Sequence, residues 1–383
     1  MKTVCKHNKC AGCMACVNIC TRGAIKIADE MHAYNAVIDE IKCNDCGACY
    51  RVCQKNNPPK AISCNVWYQG WAKDCKVRCN SASGGIATAV SQAFIDIDGI
   101  VYSCIFEKGQ FIFIRADSSK EINKFSGTKY IKSNPDMVYK NIKRDLKERR
   151  KVLFIGLPCQ VAAVLNYVGE NKDTLYTIDL ICHGTPSPKV LDLFLKQYNL
   201  DIGRVHNICF RTKSIEKKKN SFIGTLEKGV QDRYTIAFLN GLTYTENCYE
   251  CDYAQFERVS DLTLGDSWGT EMCKEEKKRG ISLVLCQTKK GERLLRKADV
   301  ELYDVDIERA TSNNCQLNKP PKCPPKRDDF WNRIIGGTPF NKVVYRHCMW
   351  QCIKQDIKNI FLKLGIIKSE NRGILDYEIR IEK

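Results

Sequence analysis

The sequence predicts two architectures in one chain, a small α+β unit rich in cysteine followed by a larger α/β unit. Three observations carry this. A four-cysteine spacing occurs twice in the first 53 residues, with every position offset by 33. Farther on, β-branched apolar runs alternate with charged or amphipathic stretches, as strands alternate with helices around a partly parallel sheet. The length of 383 residues also exceeds the roughly 250–300 at which single cores stop growing. The expected divisions are 1–63, 64–320 and a basic C-terminal extension with a helix at 321–383.

In the first unit, Cys10, Cys13, Cys16 and Cys20 follow C-x2-C-x2-C-x3-C, and Cys43, Cys46, Cys49 and Cys53 repeat it. The surrounding text repeats too, CAGCMACVNIC against CNDCGACYRVC. One tetrahedral zinc needs four thiolates. Here there are eight, with three packed into seven residues each time, which suits the corner of an iron–sulfur cubane. In bacterial ferredoxins the fourth cysteine of each run ligates the other cluster. That assigns Cys10, Cys13, Cys16 and Cys53 to one 4Fe–4S cluster, and Cys43, Cys46, Cys49 and Cys20 to a second. Residues 1 to about 63 resemble a bacterial two-cluster ferredoxin domain. The residue after each fourth cysteine, usually proline there, is Thr21 in one run and Gln54 in the other. Ligation should survive, while solvent access, and with it potential, should differ. Cys5 falls outside the pattern and reads as an unliganded thiol.

Composition agrees with a redox protein. There are 24 cysteines, and the opening MKTVCKHNKC has no apolar leader core. The expected location is a reducing cytoplasm, where cysteines bind metal or do redox chemistry. No apolar run approaches the ~18 residues needed to span a bilayer. The formal charge of +17 is scattered, with short concentrations between Lys143 and Arg150 and at Lys217–Lys219. That is the pattern of solvated loops and helix faces, and no nucleic-acid partner is expected. Each cluster on four thiolates carries about −2, so three clusters would bring the net charge to about +11.

The second unit reads in order as follows. IVYSCIF (100–106) and FIFIRA (111–116) form a hairpin turning at Gly109. Residues 136–150 form a charged helix. VLFIGLPCQVAAVL (152–165) is a strand that turns through Pro158 and Cys159 into a helix. TLYTIDLI (174–181) is a strand, followed by CHGTPSP and a helical KVLDLFLKQY. In such sheets ligands gather beyond the carboxyl ends of the strands, where Cys159 and Cys182 both sit. NCYECDY adds Cys248-x2-Cys251, half of a site. From residue types alone Cys159 has three readings. It is a buried structural thiol, a nucleophile whose pKa a helix N-terminus lowers, or a ligand grouped with Cys182, Cys248 and Cys251. The same helix end favours a thiolate ligand by up to ~1 kcal/mol. NSASGGIATAVSQAFI (80–95) is a small-residue loop opening into a helix. Its first N–H groups suit a pyrophosphate, with a plain serine N-cap as the alternative.

SASGGIATAV, FSGTKYIKSN (125–134), VLFIGLPCQVAAVLNYVG, DLICHGTPSP, NCYECDY, SDLTLGDSWG and GISLVLCQTKKGERLL occur in that order. Together, over residues from about 80 to 296, they resemble the beta subunits of coenzyme factor-420 hydrogenases and dehydrogenases. The resemblance implies an α/β flavoprotein oxidoreductase that holds FAD beside a 4Fe–4S cluster. Carried over residue by residue, the ligands of this third cluster are Cys159, Cys182, Cys248 and Cys251. Ser83, Gly84 and Gly85, with Ser126, Lys129 and Ser133, would contribute to the FAD site. Gln160 and Asp266 are further candidates whose alternative is a packing or turn role. The implied chemistry moves electrons between the clusters, FAD and a small-molecule two-electron substrate, a deazaflavin coenzyme or another organic compound. A ferredoxin or a partner subunit would be the redox partner, with the chain in an oligomer or complex. The runner-up is an electron-transfer adapter with clusters and no flavin.

NKPPKCPPKRDDFW (318–331) is expected to be extended, and VVYRHCMWQCIKQDIKNIFLKLGIIK (343–368) to be one amphipathic helix packed on the body, or on a membrane or partner. The pairs Cys75/Cys79 and Cys348/Cys352 lie at i, i+4 and are expected to be unliganded.

Overall fold

A computed structural model describes residues 2–170, 172–205, 208, 210–211 and 229–367; Lys217–Lys219 and Lys368 lie outside them. The first unit holds an antiparallel hairpin of β1 (Ile25–Asp29) and β2 (Tyr34–Ile38), with short helices at Ala15–Ile19 and Ala48–Val52. The 33-residue repeat extends to the backbone. Met14 (φ 66) and Gly47 (φ 70), at equivalent positions, both turn left-handed immediately before their helices.

The body is an eight-stranded mixed sheet of β3 (Val66–Ala72), β4 (Ile100–Glu107), β5 (Gln110–Ala116), β6 (Val152–Gly156), β7 (Leu175–Leu180), β8 (Leu262–Asp266), β9 (Ser282–Cys286) and β10 (Val300–Tyr303). Their order is β10-β3-β9-β8-β7-β6-β4-β5. β4, β6, β7 and β8 run parallel. β9 is antiparallel to both β8 and β3, so β3 points the same way as β8. The β4–β5 hairpin turns on Lys108 (φ 48) and Gly109 (φ 78), the two positive φ values of a type I′ turn.

β6 shows why its sequence is continuously apolar. Val152 and Phe154 join one core with Tyr139, Val161 and Val164, while Leu153 and Ile155 join another with Ile86, Val90, Phe94 and Leu295. Side chains alternate along a strand, and helices cover both faces of this one. The first core also takes in Val4, Ala15, Cys16 and Val52, so the cysteine-rich unit docks on that face. Asn166 Nδ2 donates to Asn57 O at 2.7 Å, and Lys55 pairs with Asp252 at 2.7 Å across the junction.

Three expectations are corrected. The serine N-cap before Ile86 does not form; Gly85 (φ 87) takes that position and the helix Ile86–Ile95 has no side-chain cap. Residues 318–331 are irregular only at first. Pro324 and Pro325 precede a helix, Arg327–Ile335, which buries Phe330, Trp331 and Ile334 in a third core with Leu191, Phe194, Tyr234 and Phe340. The stretch from 343 is two helices, Phe340–His347 and Met349–Lys363, separated at Cys348 (φ −128, ψ 38). Val343, Val344, Cys348 and Cys352 enter the third core, and the second helix leaves Trp350, Ile357, Ile360 and Phe361 exposed. No helix among the described residues is long and apolar enough to cross a membrane.

Candidate functional site

The first unit places Cys53 with the first cysteine run, and Cys20 near Cys43 and Cys49. Cys53 lines one pocket with Cys10, Cys13 and Cys16. Cys20 and Cys43 both act electrostatically on Cys49. Backbone amides point at the sulfurs: Gly12 N–H to Cys10 at 3.4 Å, Ala24 N–H to Cys20 at 3.3 Å and Asp45 N–H to Cys43 at 3.4 Å. Such contacts favour the thiolate, and in iron–sulfur proteins they tune potential. Cys46 is exposed and Cys43, Cys49 and Cys20 are half-buried, so this set faces outward; Cys10, Cys13, Cys16 and Cys53 are buried. Cys5 is buried in the inner pocket, where its closeness to Cys10 and Cys53 raises its own pKa and lowers that of Cys53. Soft thiols in two groups, with amides directed at sulfur, fit the donor chemistry of two 4Fe–4S clusters.

Four more thiols lie within electrostatic reach of one another beyond the carboxyl ends of β6 and β7. Cys159 is the second residue of the helix Pro158–Val168, and Cys182 lies two residues after β7. Cys248 and Cys251 flank the end of the 3-10 turn Glu246–Glu250. Cys248 acts on Cys159, Cys182 and Cys251, and Cys159 acts on Cys182 and Cys251. Burial pushes the Cys182 and Cys251 thiols up to about 12. Four thiols without a carboxylate or imidazole in the group fit a soft iron–sulfur centre.

The local fold locks this set. Gln160 Oε1 accepts from Leu157 N–H at 3.0 Å, and Gln160 Nε2 donates to the carbonyl and hydroxyl of Ser133, each at 3.1 Å. The helix start that carries Cys159 is thereby tied to the 131–134 segment. Arg258, paired with Asp179 at 3.3 Å, donates from Nη2 to Leu180 O at 3.2 Å and from Nη1 to Tyr253 O. It therefore clamps the chain before Cys182 to the chain after Cys251.

Two residues that sequence reasoning missed stand at the centre. Lys132 is buried, and its Nζ lies 3.7 Å from Cys159 Sγ. Burial opposes its charge, but Cys159, Cys248 and Cys182 hold its pKa above the usual lysine value. Tyr253 donates its hydroxyl to Gln54 Oε1 at 2.5 Å. Gln54, standing where ferredoxins usually have proline, thus joins the residue after Cys53 to the loop after Cys251. Cys159 also acts on Cys13, so the inner N-terminal set adjoins the third.

The residues expected around FAD form a trail rather than one cluster. Ser83 Oγ donates to Ile281 O at 2.9 Å, and Gly84 N–H donates to Ser282 Oγ at 2.9 Å. A Cβ on Gly84 would lie 2.3 Å from Gly70 O, so this glycine permits close packing against β3 and β9. Ser126 Oγ donates to Asn80 O at 2.7 Å, which places the 126 loop beside the 80–85 loop. Lys129 Nζ donates to Phe125 O at 2.8 Å. Cys104 interacts with both Lys129 and Ser133, linking that loop to the residue that holds Gln160. Asp266, paired with Arg211 at 2.6 Å, is the register partner of Ser282, so it sits one strand from the position that Gly84 contacts. The uncapped start of the helix Ile86–Ile95, with no acidic residue in its first turn, suits the pyrophosphate of a dinucleotide.

Parts of the chain are similar to known proteins. The family described as the C terminus of the coenzyme F420 hydrogenase/dehydrogenase beta chain matches residues 149–309, and the 4Fe-4S dicluster domain matches 9–57. An uncharacterized protein of Methanocaldococcus jannaschii is 24% identical over 362 residues, covering 79% of this chain and 91% of its own. A component of the F(420)H(2) dehydrogenase of Methanosarcina mazei is 22% identical over 298 residues, 71% of this chain and 81% of that one. A chain of the F420-reducing NiFe hydrogenase complex from Methanosarcina barkeri superposes with a TM-score of 0.45 at 20% identity, covering 67% of this chain and 91% of that chain. Residues 149–309 match the C-terminal family of coenzyme F420 hydrogenase/dehydrogenase beta subunits, and residues 9–57 before them match a 4Fe–4S dicluster domain, a combination of iron–sulfur and oxidoreductase type.

Proposed function

We propose that the chain carries three 4Fe–4S clusters and one FAD, and conducts electrons between an outside redox partner and a two-electron organic substrate. The observation that carries this reading is the convergence of Cys159, Cys182, Cys248 and Cys251 beside the inner N-terminal set, with Cys159 acting on Cys13. The exposed Cys46 marks the entry side, and the order runs from the Cys43 set through the Cys10 set to the Cys159 set. Residues 1–63 form the entry unit and 64–320 the flavin unit.

Bound FAD supplies the exchange between single electrons and electron pairs that clusters alone lack. In this chain the first-turn N–H groups after Gly85 would bind its pyrophosphate, with Ser83, Gly84, Ser126 and Lys129 around them. Ser133 and Gln160 keep the cluster helix fixed against that same segment, and the apolar cores on both faces of the sheet exclude water. The matched family and the Methanosarcina mazei relative both carry the coenzyme F420 name, so a coenzyme of that deazaflavin class is the first substrate to test.

Chain purified without oxygen should contain about 12 iron atoms and about one FAD. About 8 iron and no flavin would instead describe an adapter. Chemical reduction, followed by a screen for the compound that reoxidises the flavin, then identifies the substrate.

A further inference from the structure

We propose that the Lys132 ammonium is the built-in counter-charge of the third cluster and holds its reduction potential above the value that four thiolates alone would set. This rests on the assignment of Cys159, Cys182, Cys248 and Cys251 as ligands. Lys132 is 4% exposed, and its Nζ lies 3.7 Å from Cys159 Sγ. The groups acting most strongly on its charge are Cys159, Cys248, Cys182 and Tyr34, with no carboxylate among them. A buried ammonium without an anion is costly. The thiolate set is the anion on offer here.

The position of Lys132 is fixed from both sides. Its own N–H donates to Pro186 O at 2.9 Å, in the loop that follows Cys182. The next residue, Ser133, accepts both bonds from Gln160 Nε2, beside Cys159 in the helix. The side chain is therefore held by the same two segments that deliver two of the four ligands.

The electrostatic consequence has a definite sign. A cluster on four thiolates already carries about −2, and reduction adds one electron to it. That electron comes from the outside redox partner through the N-terminal clusters, and it leaves toward the two-electron substrate. A buried positive charge acts through little screening and favours the more negative, reduced state. Lys132 also acts on Cys10, so the inner N-terminal cluster should feel it more weakly, and the outward Cys43 set should not respond.

The test uses the full chain, purified without oxygen, as wild type, Lys132→Met, Lys132→Gln and Lys132→Arg. Iron per chain is counted, and each cluster is titrated by electron paramagnetic resonance. The third-cluster signal is the component absent from Cys159→Ser. In Lys132→Met the third cluster should become harder to reduce, its oxidised-to-reduced ratio at a fixed potential rising about tenfold, or about 59 mV for one electron. Lys132→Arg should restore most of that change, with the outer cluster constant throughout. A Lys132→Met protein with full iron and an unmoved midpoint overturns the proposal. Loss of about four iron atoms in both neutral variants also overturns it, because Lys132 would then serve cluster assembly. A wild type without any third-cluster signal refutes the ligand assignment itself, a separate result.

Discussion

Arg258 and Asp179 are 1% and 0% exposed and lie 3.3 Å apart. Removing one member of a buried pair strands the other charge and costs about 3–5 kcal/mol. Arg258 also holds Leu180 O and Tyr253 O, so its loss frees the segments that carry Cys182 and Cys251. Arg258→Met should lose about that much stability in denaturant unfolding, and should bind about four fewer iron atoms per chain while the N-terminal clusters remain. Full iron in a destabilised protein would confine Arg258 to folding. Nothing in the sequence announces this arginine, since it lies in a loop with no periodic pattern. Lys132 is equally silent. A lysine is ordinarily solvated, and only the packing of 131–134 against the cysteine helix buries it.

Elements were legible where local chemistry agrees with tertiary need. The strand, Pro158 turn and helix at 152–168 could be read because proline favours the first helical turn and both sheet faces demand apolar residues. The break at Cys348 was illegible, since apolar residues continue at helical spacing through it and only the third core dictates the bend. The helix Arg327–Ile335 was hidden by the prolines before it, although Phe330, Trp331 and Ile334 mark an apolar face. Another element depends on its cap. Asp232 Oδ1 accepts from Thr235 N–H at 2.7 Å at the start of the helix Arg233–Leu239. Asp232→Ala should cost about 1 kcal/mol, whereas asparagine caps equally well. Burial raises the Asp232 pKa above 3.8 despite the bonds from Thr235. Its contribution is therefore fully present below 3.8 and is lost as pH rises through the folded value. Asp232→Asn removes that loss, so its stability relative to wild type should improve from acidic to neutral pH, as read from unfolding curves. A pH-independent difference would contradict the assignment.

At the scale of the whole molecule, the two units are joined where electrons would cross. Gln54, next to Cys53, accepts from Tyr253, two residues beyond Cys251, and Asn166 on the cysteine-bearing helix donates to Asn57 O. The N-terminal cysteine sets could be read from spacing alone, because each run concentrates its thiols in eleven residues. The third set could not, because its members lie between residues 159 and 251 and meet only through the sheet. Spacing supplied a half-site there, and family resemblance supplied the grouping. The most direct measurement is iron and sulfide per chain in Cys159→Ser against wild type, both purified without oxygen. Cys159→Ser should lose about four iron and four sulfide, with the two N-terminal clusters still present by electron paramagnetic resonance; unchanged iron and sulfide would remove Cys159 from the ligand set.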